Sequence, residues 1–267
     1  MVDFEYKSRY NIDDFIGIMK LLRAPGGCPW DAKQTHESIK KNLIEETYEV
    51  IEAINKEDTA LLCEELGDLL MQVVFHTIME EEKGSFDFDD VTDGVSKKLI
   101  IRHPHVFGDV EADTVDKVLS NWDEIKRKTK GQKSTAESML SVPRELPALM
   151  RAAKVQKKAA DVGFDWDCAD GALEKLDEES AELRQAVKNG SQEEISEEFG
   201  DLLFSMVNIS RFLKLDPEES LTASTDKFLD RFSKVESLAN ERGINMKTAS
   251  LEELDALWDE VKKQNRM

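Results

Sequence analysis

An internal repeat is the feature of this sequence that most constrains how the chain can fold. A group of acidic residues in the first half recurs at a constant offset of 133 residues, from 45 to 178 and from 65 to 198. The matched positions are Glu45, Glu46, Glu49, Glu65 and Asp68 in the first half, and Glu178, Glu179, Glu182, Glu198 and Asp201 in the second. The string GDLL at 67–70 returns at 200–203. Such self-similarity predicts tandem copies of one structural unit.

Basic and aromatic residues repeat towards the end of each half. The repeated set is Lys98, Arg102 and Trp122 in the first half, and Lys227, Arg231 and Trp258 in the second. The polar stretch from Lys126 to Pro147 contains Gly, Ser and two prolines, a composition typical of a linker. We therefore predict a first domain over residues 1–126, a linker over 127–146 and a second domain over 147–267.

The apolar residues recur with helical spacing almost throughout the chain. Leu62, Leu66 and Leu69 fall three or four residues apart, which aligns them on one face of a helix. Ser191, followed three residues later by Glu194, predicts a capping box at the start of another helix. Strand-like alternation is nowhere sustained. The sequence thus predicts an all-α fold of two similar helical bundles, each with its acidic group on a helix–turn–helix pair.

The charge balance excludes two classes of partner. The chain has 36 Lys and Arg residues against 56 Asp and Glu residues, a formal net charge of −20. Nucleic acid polymers and anionic membranes are bound through basic surfaces, so we expect neither. We also expect no transmembrane helix and no secretory signal. Because Cys28, Cys63 and Cys168 are odd in number and far apart, a reducing cytoplasm is the expected location.

The repeated acidic residues have the spacing of a metal site. Glu46 and Glu49 share one face of a helix, and Glu65 and Asp68 share a face of the next. Carboxylates brought this close repel one another, and a hard cation such as Mg²⁺, with Mn²⁺ as an alternative, relieves the repulsion. Leucines interleave with these acids, which favours a metal site over a solvated acidic surface. A cation would also let an anionic protein bind a phosphate ester.

The arrangement E-E-x-x-E, fifteen residues, then E-x-x-D occurs in both halves and resembles the signature of the MazG-like all-α nucleoside triphosphate pyrophosphohydrolases. Other strings extend the resemblance to tandem-domain bacterial members over nearly the whole chain. They are GGCPWD at 26–31, RHPHVFGD at 102–109, LPALMRA at 146–152 and VGFDW at 162–166.

The resemblance implies Mg²⁺-dependent cleavage of nucleoside triphosphates, NTP and dNTP alike, to the monophosphate and pyrophosphate, by a homodimer. The implied metal ligands are Glu179, Glu182, Glu198 and Asp201 in the second half, and Glu46, Glu49, Glu65 and Asp68 in the first. Glu178 and Glu45 lie beside these ligands, and we hypothesise that they orient or deprotonate the attacking water.

Several repeated residues are candidates for holding the nucleotide. Lys175 lies one turn before Glu179 and can reach a phosphate, whereas the matching position in the first half is Asn42. The basic pairs are predicted to clamp the triphosphate and the tryptophans to stack on a base, unless they are ordinary surface cations and packing anchors. The residues are Lys175, Lys227, Arg231 and Trp258 in the second half, and Lys98, Arg102 and Trp122 in the first. We expect the second half to be the more active.

Two other functions remain open on the sequence. One is a narrow hydrolase of a single non-standard nucleotide or an alarmone, which a substrate panel would distinguish. The other is a non-catalytic, metal-binding helical interaction protein, for which Mg²⁺ would raise stability without turnover. A homodimer is compatible with either function.

Overall fold

The computed structural model describes residues 4–129 and 131–264, and all regular structure within these ranges is helical. The predicted all-α fold is confirmed. The chain divides into two compact units, Met1–Lys126 and Arg127–Met267. Within the described ranges, no helix combines the length and the apolar composition needed to span a membrane.

A helical hairpin dominates the first unit. The helices up to residue 129 are α1 (Ile12–Arg23), α2 (His36–Asn55), α3 (Thr59–Glu81), α4 (Phe88–Arg102), α5 (Pro104–Phe107) and α6 (Val115–Thr129). Asp58 ends the α2–α3 turn and caps α3, because its Oδ1 accepts hydrogen bonds from the backbone N–H groups of Ala60 and Leu61. His36 meets His76 and Glu46 meets Gln72, so α2 and α3 run antiparallel.

The core of the first unit lies on the far part of α3. Val74, Phe75 and Ile78 are almost fully buried, and they pack against Met19 of α1 and Ile39 of α2. Burying side chains of this size contributes about 1.5–3 kcal/mol each before entropy is counted. The packing anchors α2 and α3 at one end, while the acidic part of the hairpin lies towards the other.

The second unit repeats the hairpin. Its helices are α7 (Thr135–Leu140), α8 (Ala148–Ala160), α9 (Ala169–Asn189), α10 (Gln192–Phe212), α11 (Pro217–Glu241) and α12 (Leu251–Gln264). The predicted capping box is confirmed: Ser191 Oγ accepts from the N–H of Glu194, and the Glu194 carboxylate accepts from the N–H of Ser191. A second apolar core forms where Val235 of α11 meets Leu257 of α12.

The stretch that we predicted as a linker includes residue 130, which lies outside the described residues. It also includes α7, which packs on α8. Lys158 Nζ donates a hydrogen bond to Ser138 Oγ at 2.6 Å, and Val142 just after α7 is buried. The polar composition of this stretch did not reveal these contacts, because two small anchors suffice to dock a helix of six residues.

Candidate metal centre

The predicted ligands of the first half meet where α2 packs against α3. Glu46 and Glu49, one turn apart on α2, bring carboxylate oxygens within 4.8 Å of each other and of Glu65 on α3. We name Glu46, Glu49 and Glu65 the first carboxylate cluster. Asp68 follows Glu65 by one turn, and its charge acts on both Glu46 and Glu65. All four predicted ligands of this half therefore interact.

Burial and mutual repulsion raise pKa values in the first carboxylate cluster. The pKa of Glu46 is raised first by burial, then by the neighbouring Glu49 carboxyl and the charge of Asp68. Burial also raises the pKa of Glu65, with the charges of Glu49 and Asp68 adding to the effect. An opposite charge within a few ångströms favours the ionised form of each carboxyl. A cation among these oxygens would thus relieve the repulsion.

The second half builds the same arrangement from α9 and α10. Glu179 and Glu182 of α9 and Glu198 of α10 place carboxylate oxygens within 4.8 Å of one another, and we name them the second carboxylate cluster. Glu179 is only 5% exposed, and a carboxylate buried to that extent needs a partner. The pKa of Glu198 is raised by burial and then by the charges of Glu182, Glu179 and Asp201.

Lys175 supplies a cation to the second carboxylate cluster. Its Nζ lies 2.7 Å from Oε1 of Glu179 and 3.1 Å from Oε1 of Glu178, and these contacts raise the lysine pKa. Glu178 is exposed and pairs with Lys175, and Glu45 in the first half is exposed as well. The two candidates for water activation therefore border the clusters from solvent.

The predicted nucleotide-binding residues come together in part. Arg102 of α4 places its Cζ 5.3 Å from the ring centroid of Trp122 on α6, and Arg231 of α11 places its Cζ 5.9 Å from the ring of Trp258 on α12. The remaining pair, Lys98 and Lys227, is exposed. In each half the arginine guanidinium thus lies over the tryptophan ring, so the residue expected to hold a phosphate contacts the residue expected to stack on the base.

The same pattern in both halves identifies the family. The family profile of the MazG nucleotide pyrophosphohydrolase domain matches residues 34–107 and 170–236, one segment in each half. This chain belongs to the MazG family. The resemblance noted in the sequence is confirmed.

Curated relatives match nearly the whole of this chain, and the names of two of them agree with the MazG assignment. The chain is 45% identical over 250 residues to "Nucleoside triphosphate pyrophosphohydrolase/pyrophosphatase MazG" of Thermotoga maritima, covering 94% of this chain and 95% of that protein. It is 45% identical over 258 residues to "Nucleoside triphosphate pyrophosphohydrolase" of Escherichia coli strain K12, covering 95% and 97%. It is 49% identical over 260 residues to "Uncharacterized protein YabN" of Bacillus subtilis, covering 96% of this chain but 53% of that protein.

The donor set of both MazG clusters suits a hard divalent cation. Every candidate ligand in the two clusters is a carboxylate oxygen, the type that Mg²⁺ and Mn²⁺ prefer. The second carboxylate cluster already holds the ammonium of Lys175 against Glu179, so its carboxylates attract a positive charge. A site that keeps bound water and adds substrate phosphate oxygens needs only a few protein ligands.

The MazG hairpin also contains functional candidates that sequence reasoning missed. Gln72 of α3 is 5% exposed, and its Nε2 donates a 3.4 Å hydrogen bond to Oε1 of Glu46. His36 bridges α2 to α3: its Nδ1 lies 2.7 Å from Nδ1 of His76 and its Nε2 lies 2.6 Å from Oε1 of Glu80. A glutamine inside an apolar run was the one available signal for Gln72. The histidines are 40 residues apart, and only the antiparallel pairing brings them together.

Proposed function

We propose that this chain is a nucleoside triphosphate pyrophosphohydrolase that releases nucleoside monophosphate and pyrophosphate and depends on a divalent cation, Mg²⁺ in the cell. One observation carries the proposal: a MazG-family chain holds two carboxylate clusters at matching positions of its two halves. The names of the Thermotoga maritima and Escherichia coli relatives support the same reaction. Broad action on ribo- and deoxyribonucleotides is part of the proposal.

The position of each residue suggests its role in the proposed reaction. Glu46, Glu49, Glu65 and Asp68 in the first half, and Glu179, Glu182, Glu198 and Asp201 in the second, would hold the cations. Bound Mg²⁺ supplies charge neutralisation and Lewis acidity at the phosphoanhydride. Lys175 would exchange its contact with Glu179 for a phosphate oxygen, and Arg231 and Lys227 would approach the other phosphates from α11. Glu178, exposed at the rim of the second cluster, would accept the proton of the attacking water.

The first half would contain a weaker site. Its cluster has Asn42 where the second half has Lys175, so it lacks one cation for the triphosphate. Lys98 and Arg102 occupy the positions of Lys227 and Arg231, and Glu45 that of Glu178. Inactivation of each cluster separately, by Glu46→Ala and by Glu179→Ala, would rank the halves. We expect the larger loss of turnover from Glu179→Ala.

The exposed apolar side chains of both hairpins support a homodimer. Phe199, Leu203 and Met206 are spaced four and three residues apart on α10 and are 53%, 40% and 54% exposed. The matching residues of α3, at the same offset of 133, are Leu66, Leu70 and Val73, which are 49%, 37% and 38% exposed. An apolar stripe of this kind on a helix is typical of a packing surface, and a second copy of the chain offers the complement.

We also propose two domains, over residues 1–126 and 147–267, with the segment 127–146 as a linker between them. We further propose a cytoplasmic location, which is supported by the free thiols of Cys28, Cys63 and Cys168.

A product panel tests the proposed function. The purified chain is incubated with each common NTP and dNTP, with Mg²⁺ and with EDTA, and the products are separated. Monophosphate plus pyrophosphate with Mg²⁺ alone is the expected result, and similar rates across the panel would support broad specificity. Diphosphate plus orthophosphate would contradict the reaction. Absence of turnover on every common nucleotide would favour the narrow hydrolase or the non-catalytic metal-binding protein.

A further inference from the structure

The two carboxylate clusters are stabilised by different hydrogen-bond donors. In the second cluster the donor to Glu179 is an ammonium group, Lys175 Nζ at 2.7 Å, from the same helix. In the first cluster the donor to Glu46 is a neutral amide, Gln72 Nε2 at 3.4 Å, from the neighbouring helix. Glu46 and Glu179 occupy the same position of the repeat, so equivalent carboxylates accept hydrogen bonds from different donors in the two halves.

The donors leave the clusters with different net charges. Among the described residues, Glu46, Glu49, Glu65 and Asp68 form no ion pair with a lysine, arginine or histidine, so no basic side chain offsets the charge of the first cluster. Lys175 brings one positive charge to within 2.7 Å of the most buried acid of the second cluster. An ammonium at this distance competes with any cation that uses the same oxygen.

This difference determines the conditions under which each half can bind a divalent cation. A divalent ion entering the first cluster meets no ammonium group there, and the donor at Glu46 is a neutral amide 3.4 Å away. At the second cluster an ion that uses Oε1 of Glu179 must displace the ammonium of Lys175, and so must compete with an existing ion pair at a carboxylate that is only 5% exposed. A phosphate oxygen offers the ammonium another acceptor, so a triphosphate removes the competitor at the same time as it brings its own cation.

We propose that Lys175 is a resident counter-cation of the second carboxylate cluster, which therefore binds divalent cations strongly only together with a phosphate substrate, whereas the first cluster binds them without substrate. The inference rests on the proposed function, since that function supplies the phosphate. On this proposal, cation binding at the second cluster depends on substrate, whereas cation binding at the first cluster does not. It also gives Lys175 a role before catalysis, in suppressing cation binding in the absence of substrate.

The test is Mn²⁺ binding to the full chain, followed by electron paramagnetic resonance of the free ion. Glu46→Gln with Glu49→Gln leaves only the second cluster, and Glu179→Gln with Glu182→Gln leaves only the first. Without nucleotide, we expect the second cluster to bind Mn²⁺ on the order of tenfold more weakly, since a hydrogen bond between charged groups contributes about that factor. A triphosphate analogue with a methylene α–β bridge should remove the difference.

Exchange of one residue isolates the cause. In the background with only the second cluster, Lys175→Asn should tighten Mn²⁺ binding about tenfold. In the background with only the first, Asn42→Lys should weaken it by a similar factor. Lys188→Asn is the matched control, because it removes a positive charge from the same helix more than three turns away, and it should have little effect. Lys175→Gln provides a second variant of similar length, and circular dichroism checks the fold of each.

The outcomes separate this inference from the proposed function. Equal nucleotide-free Mn²⁺ affinities of the two clusters, or a Lys175→Asn effect no larger than that of Lys188→Asn, would overturn the counter-cation role even if turnover is normal. A difference that Lys175→Asn abolishes would support the role even if no common nucleotide is hydrolysed, and the proposed function alone would then fail.

Discussion

Replacement of Gln72 by leucine should stabilise the first unit while weakening its cation site. Gln72 is 5% exposed, and its Nε2 donates to Glu46 at 3.4 Å, near the upper limit of a hydrogen bond. Its Oε1 is buried and has no partner among the described residues. The side chain therefore makes one long hydrogen bond and leaves one buried acceptor unsatisfied.

The magnitude follows from these two contributions. A buried, unsatisfied carbonyl costs about 1–3 kcal/mol, and Gln72→Leu removes that cost at nearly constant volume. A good hydrogen bond to a charged group contributes about 1.5–3 kcal/mol, but the length of this one places it near about 1 kcal/mol. The net effect is a gain of about 1 kcal/mol, or roughly 4 °C in the melting temperature of a unit of this size. Without the amide, the Glu46 carboxylate loses the hydrogen bond that orients it, and the affinity of the first cluster for a cation should therefore fall.

The assay must report on the first unit alone, because a chain of two units need not unfold in one step. Trp166→Phe with Trp258→Phe leaves Trp30 and Trp122 as the reporters, both in the first unit. Urea unfolding followed by their fluorescence compares Gln72→Leu with its parent, and Mn²⁺ titration compares their cation affinities. A net loss of stability would refute the reasoning, since the hydrogen bond would then outweigh the unsatisfied acceptor. Unchanged Mn²⁺ affinity would refute the orienting role of the amide.

Three further predictions concern pH, the two clusters and assembly. The Glu80 pKa is lowered to about 2, first by Lys83 and then by His36, and burial lowers that of His76 from 6.5. At these two groups protons bind better to the unfolded chain, so His76 should withdraw stability from the first unit as pH falls below about 6.5 and Glu80 should do so below about 4.5, where the raised pKa values of Glu46 and Glu65 act in the opposite direction. His76→Asn should flatten the upper part of that profile in urea unfolding. Glu179→Ala should reduce turnover more than Glu46→Ala in a steady-state assay, and equal losses would contradict our ranking of the halves. Sedimentation at micromolar concentration should show a dimer, and a monomer would contradict the packing role of the exposed stripes.

The sequence predicted the tandem all-α fold because both the repeat and the helical period are visible in the spacing of residues along the chain. The grouping of Glu46 with Glu49 followed from helix geometry, and the proximity of Glu65 followed from a short turn between two helices. These inferences need only the spacing along one chain segment. Such reasoning works wherever neighbours in space are also near in sequence.

Contacts between separate helices were beyond the same reasoning. The bridge from His36 to His76 and the amide of Gln72 at Glu46 depend on how α2 and α3 are aligned, which no local pattern specifies. Lys175 was assigned to a phosphate from its position one turn before Glu179. The structure adds its contact with that carboxylate, since an ammonium group binds whichever anion is nearest.

The most direct test of the central claim is cation-dependent cleavage by a chain whose clusters have both lost a ligand. Glu49→Gln with Glu182→Gln removes one exposed carboxylate charge from each cluster with little change in volume, and circular dichroism would verify the helical fold. We predict that the parent chain converts nucleoside triphosphates to monophosphate and pyrophosphate with Mg²⁺ and not with EDTA. The double variant should lose at least about a hundredfold in kcat, the order expected for disrupted electrostatic stabilisation. A double variant that keeps the parent rate with Mg²⁺ would contradict the claim that these clusters carry the reaction.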